Sequence, residues 1–196
     1  MDRTRLMENW LAQCLAGQHV ALAPASADAS FRRYFRATLA DGSTRIVMDA
    51  PPSHEDCRPY LHVARLFHDA GAHVPEIHAE NLAEGFLLLS DLGSTTFLAH
   101  LESDPSEARA TPLYLDAIDA LIRIQQASRP GVLPEYDRER LLRELELFPV
   151  WYVDKHLGHA LTEAEAADLY AVFDRILDAN LAEPQVFVHR DFHSRN

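Results

Sequence analysis

Cysteine is scarce in this chain: Cys14 and Cys57 are the only two in 196 residues. Two thiols make no disulfide framework, and reduced thiols are expected of a cytoplasmic protein. Positive charge is also short. Against 30 Asp and Glu stand 18 Lys and Arg, a formal net charge of −12. That balance speaks against a nucleic-acid partner, whose phosphates need a basic surface. No apolar run reaches the length of a membrane span. At the N-terminus Glu8, Asn9 and Gln13 interrupt the apolar residues, so no signal-peptide core forms. Repeats and low-complexity tracts are missing, and so are the glycine-rich patterns G-x-G-x-x-G and Walker A. What remains is an ordinary globular composition, 47% hydrophobic and 24% charged. The length suits one large domain or two small lobes with a real core.

The most informative stretch is the last, His189-Arg190-Asp191-Phe192-His193-Ser194-Arg195-Asn196. It follows Val186-Phe187-Val188, whose β-branched and aromatic residues predict a buried strand delivering a loop at its carboxyl end. The spacing is H-x-D-x-x-x-x-N. Phosphoryl transfer needs an Asp beside the acceptor hydroxyl, to orient it and take its proton. It also needs an amide oxygen to hold Mg²⁺ against nucleotide phosphates. Asp191 and Asn196 suit those tasks. A polar surface loop is the plain alternative. His189, Asp191 and His193 also suit a metallohydrolase ligand set, which would need further His or Asp ligands and leaves Asn196 unexplained.

Earlier in the chain, residues 4–16 predict an amphipathic helix with Leu6, Met7, Trp10, Leu11, Cys14 and Leu15 on one stripe, stopped at Gly17. Val20 to Leu22 predicts a short strand and Ala23 to Ser30 a small-residue loop. Phe31 to Leu39 and Arg45 to Met48 predict two strands joined by the Asp41-Gly42 turn. Arg32, Tyr34 and Arg36 would share one strand face, and Phe31, Arg33 and Phe35 the other. A helix is expected from Pro59 to Ala70, stopped at Gly71. Phe86 to Leu89 predicts a continuous apolar strand running through Ser90-Asp91-Leu92-Gly93 into a helix near Thr95–Leu101. Helical spacing follows over 113–127, 138–151 and, behind a capping box of Thr162 and Glu165, to about Leu181, with Leu169, Val172, Phe173 and Ile176 buried. Residues 102–111 and 129–137 are expected to be surface loops.

The terminal spacing resembles the catalytic loop of the protein-kinase-like superfamily. Protein kinases usually have Lys two residues after the Asp, where this chain has His193. D-x-H-x-x-N is similar to the aminoglycoside phosphotransferase branch, which acts on small molecules and usually has Gly where Arg190 stands. Four further stretches, residues 47–52, 56–59, 85–93 and 143–152, resemble the bacterial anomeric kinases for N-acetylmuramate and N-acetylglucosamine of cell-wall recycling.

This resemblance implies an α+β, kinase-like fold: a small antiparallel-sheet lobe over residues 1–90, a hinge at 91–93 and part of a helical lobe over 94–196. It implies an ATP- and Mg²⁺-dependent kinase for the anomeric hydroxyl of an amino sugar, with Asp191 and His193 catalytic and Asn196 on the metal. Ser30 would touch the phosphates from the loop tip. At the hinge Ser90, Asp91 and Leu92 would bind the nucleotide, the Ser90 carbonyl and the Leu92 N–H reading adenine. Met48 stands where the family has a phosphate-gripping Lys, and the following helix lacks the partner Glu. Another cation must then meet the phosphates, and Arg32 and Arg33 are the candidates. Glu144, Glu146, Trp151 and Tyr152 are candidate sugar contacts, since carboxylates suit hydroxyls and rings suit a sugar face. A solvated acidic helix with buried rings is the alternative there. The family's second Mg²⁺ ligand and later helices would lie beyond Asn196. Residues 1–196 alone are therefore expected not to catalyse, and to leave apolar faces of 113–127 and 165–181 uncovered. A non-catalytic nucleotide-binding module, or a kinase for an aminoglycoside or another small molecule, are the rival functions.

Overall fold

The computed structural model describes residues 2–27 and 31–195, the side chains of 26 and 27 excepted. They fall into two compact units, Met1–Ile124 with Arg190–Asn196, and Gln125–His189.

The first unit is built on a five-stranded antiparallel sheet: β1 (Ala21–Ala27), β2 (Arg33–Thr38), β3 (Thr44–Asp49), β4 (Ile77–Asn81) and β5 (Phe86–Ser90), in the order β1-β2-β3-β5-β4. A helix covers each face. From α1 (Arg3–Cys14), Met7, Trp10 and Leu11 join Ala37, Val47, Phe86 and Leu88. From α2 (Cys57–Asp69), Cys57 and Leu61 join Met48, Leu87 and Leu89 on the other face. Successive strand residues point to opposite faces, so a strand buried on both sides must be apolar throughout. That is why β5 reads Phe-Leu-Leu-Leu without alternation. Trp10 stacks on Phe86 at 5.6 Å.

Several expectations change. β1 runs through the segment expected to be a loop, Pro24 included. It is an edge strand with a register shift between Pro24 and Ser26, where a missing N–H costs little. α2 starts at Cys57, two residues before Pro59, because the Asp56 carboxylate caps it by accepting the Arg58 N–H at 3.0 Å. The turn before β5 is fixed by Gly85, whose φ is +72°. Its carbonyl accepts the Ala50 N–H at 2.8 Å, and a Cβ there would run into the Ala50 carbonyl. After Gly93, α3 (Phe97–Ser103) is capped by Thr96. α4 (Glu107–Gln126) begins inside the expected loop 102–111 and carries Pro112 within it. Ile124 is its buried residue, while Tyr114, Leu115, Ile118 and Ile122 are exposed.

In the second unit α5 (Arg138–Leu145) ends well short of Trp151. Pro149 has no N–H and its ring opposes the carbonyl four residues back. The chain continues instead as a π-helix, Phe148–His156. α6 (Glu163–Ala182) has the expected capping box, with the Thr162 N–H donating to Glu165 Oε2 at 2.8 Å. Its buried side chains are Phe173 and Leu177, whereas Val172 and Ile176 are exposed. Val186-Phe187-Val188 forms no strand. Phe187 is buried with its N–H on Ser128 Oγ at 2.7 Å, and both valines are exposed.

Candidate active site

The loop after His189 is turned by Arg190, whose φ is +74°. An L side chain in the left-handed region costs roughly 1–2 kcal/mol, which gives a physical reason for a Gly preference at this point. The turn is followed by a small hydrogen-bonded knot. The Arg195 N–H donates to His193 Nδ1 at 3.1 Å, so Nδ1 is the acceptor nitrogen and the ring proton of the neutral tautomer sits on Nε2. Nε2 lies 3.0 Å from Asp191 Oδ1. His193 thus donates to Asp191 and helps to orient its carboxylate. The Leu98 N–H donates to the Ser194 carbonyl at 2.7 Å, which ties the loop to the first turn of α3. Both Asp191 and His193 are exposed.

Met48, at the expected Lys position, is 1% exposed in the cluster that also holds Cys57 and Leu61. The seam between β3 and α2 is therefore apolar where the resemblance would place an ion pair. Beside it, Tyr34 is the cross-strand partner of Met48. Tyr60 is pushed up to about 12, by burial first and by its neighbour Tyr34.

The sheet separates the two candidate arginines. Arg33 is paired across the strands with Asp49. Its Nε donates to Asp49 Oδ2 at 3.0 Å, and its Nη2 reaches the same oxygen. Asp49 is fully buried and also accepts Arg3 Nε at 2.6 Å. Arg3 Nη2 in turn donates to the Glu84 carbonyl at 2.6 Å. Arg33 thus serves a buried carboxylate tied to α1, on the face opposite Met48. Arg32 lies 3.8 Å from Glu55, just ahead of α2, and acts electrostatically on Tyr60. It is the arginine on the Met48 side.

The expected hinge is held from outside. The Ser90 N–H donates to the Glu76 carbonyl and the Glu76 N–H to Ser90 Oγ, each at 2.9 Å. Asp91 turns its carboxylate inward, 4% exposed, onto Arg36. Arg36 had no role in the expected site. Its place among the arginines of 32–36 was legible, but the carboxylate 55 residues away was not. Leu92 is 52% exposed. Ser30 and Asn196 lie outside the described residues.

Glu144, Glu146, Trp151 and Tyr152 all belong to the second unit. Trp151 is 58% and Tyr152 50% exposed. Tyr152 stacks between Phe148 and His156, at 5.5 Å from each. Lys155 Nζ sits 3.7 Å over the Trp151 ring. The rings expected as buried in the plain alternative are therefore half exposed, with neighbours stacked on their faces. Glu146 accepts the Tyr170 hydroxyl at 3.3 Å, and Glu144 is exposed.

Among the described residues no group of three or more His, Cys, Asp and Glu is placed to hold a metal ion. His189, Asp191 and His193 form no such set among the described residues.

The sheet flanked by helices and followed by a helical segment has the protein-kinase-like fold. A solved structure that shares it is the ternary complex of streptomycin, ATP and APH(2")-IIa, with a TM-score of 0.57 and 12% identity. The match covers 91% of this chain and 60% of that one. Residues 21–196 match the family model of the phosphotransferase enzyme family, and the chain belongs to that family.

Curated relatives are named N-acetylmuramate/N-acetylglucosamine kinase. The one from Neisseria meningitidis is 45% identical over 100% of this chain and 58% of its own length. That of Pseudomonas aeruginosa is 47% identical over 99% of this chain and 59% of its own. That of Pseudomonas putida is 47% identical over 90% and 50%. The chain thus spans between half and three-fifths of the length of these relatives.

Proposed function

We propose that this chain serves an ATP- and Mg²⁺-dependent kinase that phosphorylates the anomeric hydroxyl of N-acetylmuramate or N-acetylglucosamine, in the cytoplasm, as a step of cell-wall recycling. The observation that carries it is the 45% identity, along the whole chain, to a relative of that name. The hydrogen-bonded pair of His193 and Asp191 supports it chemically.

In this mechanism the Asp191 carboxylate takes the proton of the anomeric hydroxyl as the sugar oxygen attacks the γ-phosphorus and ADP leaves. His193, hydrogen-bonded to Asp191, keeps the carboxylate aimed. Arg32, on the Met48 side of the sheet, meets the phosphates in place of a strand Lys, and Ser30 caps them from the loop tip. The Ser90 carbonyl and the Leu92 N–H read the adenine edge. Glu144, Glu146, Trp151 and Tyr152 form the sugar side, carboxylates for hydroxyls and exposed rings for the sugar face. Mg²⁺ would neutralise phosphate charge, and Asn196 is its expected ligand. Residues 1–90 act as the nucleotide lobe, 91–93 as hinge and 94–196 as part of the acceptor side.

The buried Met48 favours one rival, a nucleotide-binding module without turnover. The test is to supply the protein, as the cell makes it, with ATP and each sugar and to follow the product by phosphorus NMR. Sugar 1-phosphate is the expected product. Phosphate on the 6-hydroxyl or on an aminoglycoside would overturn the assignment, and ATP binding without any turnover would establish the rival.

A further inference from the structure

We propose that Arg36 is a positioning residue for nucleotide recognition: with Asp91 and Gly93 it locks the hinge backbone in the orientation that reads the base. This rests on the adenine-reading role proposed for Ser90 and Leu92. Arg36 leaves β2, crosses toward the end of β5, and grips Asp91 twice, Nε to Oδ2 at 2.6 Å and Nη2 to Oδ1 at 3.2 Å. Nη2 also donates to the Gly93 carbonyl at 3.2 Å. The Gly93 N–H returns to Asp91 Oδ1 at 2.9 Å, closing a turn that needs the Gly93 φ of +94°.

One guanidinium therefore holds the residues on both sides of Leu92. With Asp91 and Gly93 fixed, the peptide groups of Leu92 have little freedom left. On the near side, Ser90 is already tied to Glu76. The Asp91 carboxylate is held down to about 2, by the Arg36 hydrogen bond first and then by the Gly93 N–H and the Thr44 side chain, against its burial. An ion pair taken out of water gives little net stability compared with an apolar pair of the same shape. What it supplies here is direction: a planar fork accepts a carboxylate in one geometry only. Asp91 accordingly acts through the backbone and does not touch the nucleotide.

The test measures ATP and GTP binding by calorimetry on the full chain, for the parent protein, Arg36→Gln, Arg36→Lys and Asp91→Asn, with a thermal melt of each. The parent should prefer ATP. The variants should bind ATP roughly 10-fold more weakly or worse, with the preference for ATP over GTP largely lost. Arg36→Lys should not rescue, because a single ammonium cannot reproduce the fork. Equal weakening of both nucleotides with the preference intact would mean general damage to the fold and would overturn the proposal. Unchanged ATP affinity in a folded variant would overturn it as well. A parent that binds ATP without preference would overturn the hinge reading of the base, while a parent that binds no nucleotide would defeat the proposed function itself.

Discussion

Replacing Asp49 should cost the fold more than replacing any exposed carboxylate of the chain. Its side chain is 1% exposed and answers two guanidiniums, Arg3 at 24% and Arg33 at 50% exposure. Arg3 binds α1 to the strand and, through the Glu84 carbonyl, to the turn that enters β5. It also lies 4.7 Å over the Phe86 ring. Asp49→Leu removes the acceptor and leaves Arg3 pressed against the sheet with one partner. Breaking a buried pair this way costs about 3–5 kcal/mol. Half-exposed Arg33 can turn to water, so Arg33→Ala should cost only about 1 kcal/mol. Asp49→Asn keeps the volume but puts an amide donor toward one arginine, for an intermediate loss of about 2–3 kcal/mol. Urea unfolding measures all three, with an unchanged m-value showing that the same transition is compared. Asp49→Leu within about 1 kcal/mol of the parent would refute the view that this carboxylate holds α1 to the sheet.

At the loop, Arg190→Gly should be more stable than Arg190→Ala by about 1 kcal/mol, the reverse of their order in a helix, because only the backbone at φ +74° separates them; an equal or more stable Ala variant in the same unfolding assay would remove the strain. In the active enzyme, Asp191→Asn should lower turnover about 10²–10⁴-fold with little change in ATP affinity. His193→Ala should lower it less and His193→Asn should recover part, since Asn also donates; steady-state rates with full turnover in Asp191→Asn would exclude Asp191 as the base. Arg32→Ala should weaken ATP binding by about 1–3 kcal/mol in calorimetry, and no change would place the phosphate-binding cation elsewhere. Asp91 starts from the ordinary 3.8 and is lowered to about 2 in the fold. Its contribution, about 2 kcal/mol, is therefore fully present above about pH 5 and is lost as the pH falls through about 2. Acid unfolding of Asp91→Asn should lack that component, and identical acid curves would contradict it.

What the sequence determined by itself was local. The Thr162–Glu165 capping box, the Asp41-Gly42 turn, the stripe of α1 and the polar terminal loop depend on residues a few positions apart, whose chemistry is complete within one turn or one hairpin. The unbroken apolar run of β5 likewise announced a strand buried on both faces. Alternation along β2 even separated Arg33 from Arg32 and Arg36. It could not name their partners: Asp49 is 16 residues from Arg33 and 46 from Arg3, and Asp91 is 55 from Arg36. Those pairs exist because the sheet order brings β3 beside β2 and the end of β5 within reach. The same dependence defeated two local signals. Pro24 sits inside β1 because that strand happens to be an edge, and Val186-Phe187-Val188 forms no strand because a strand needs a neighbour to take its hydrogen bonds. Propensity reports what a segment can do alone; ladder partners, buried charge pairs and the inward turn of the Asp91 carboxylate are decided only where distant parts of the chain meet.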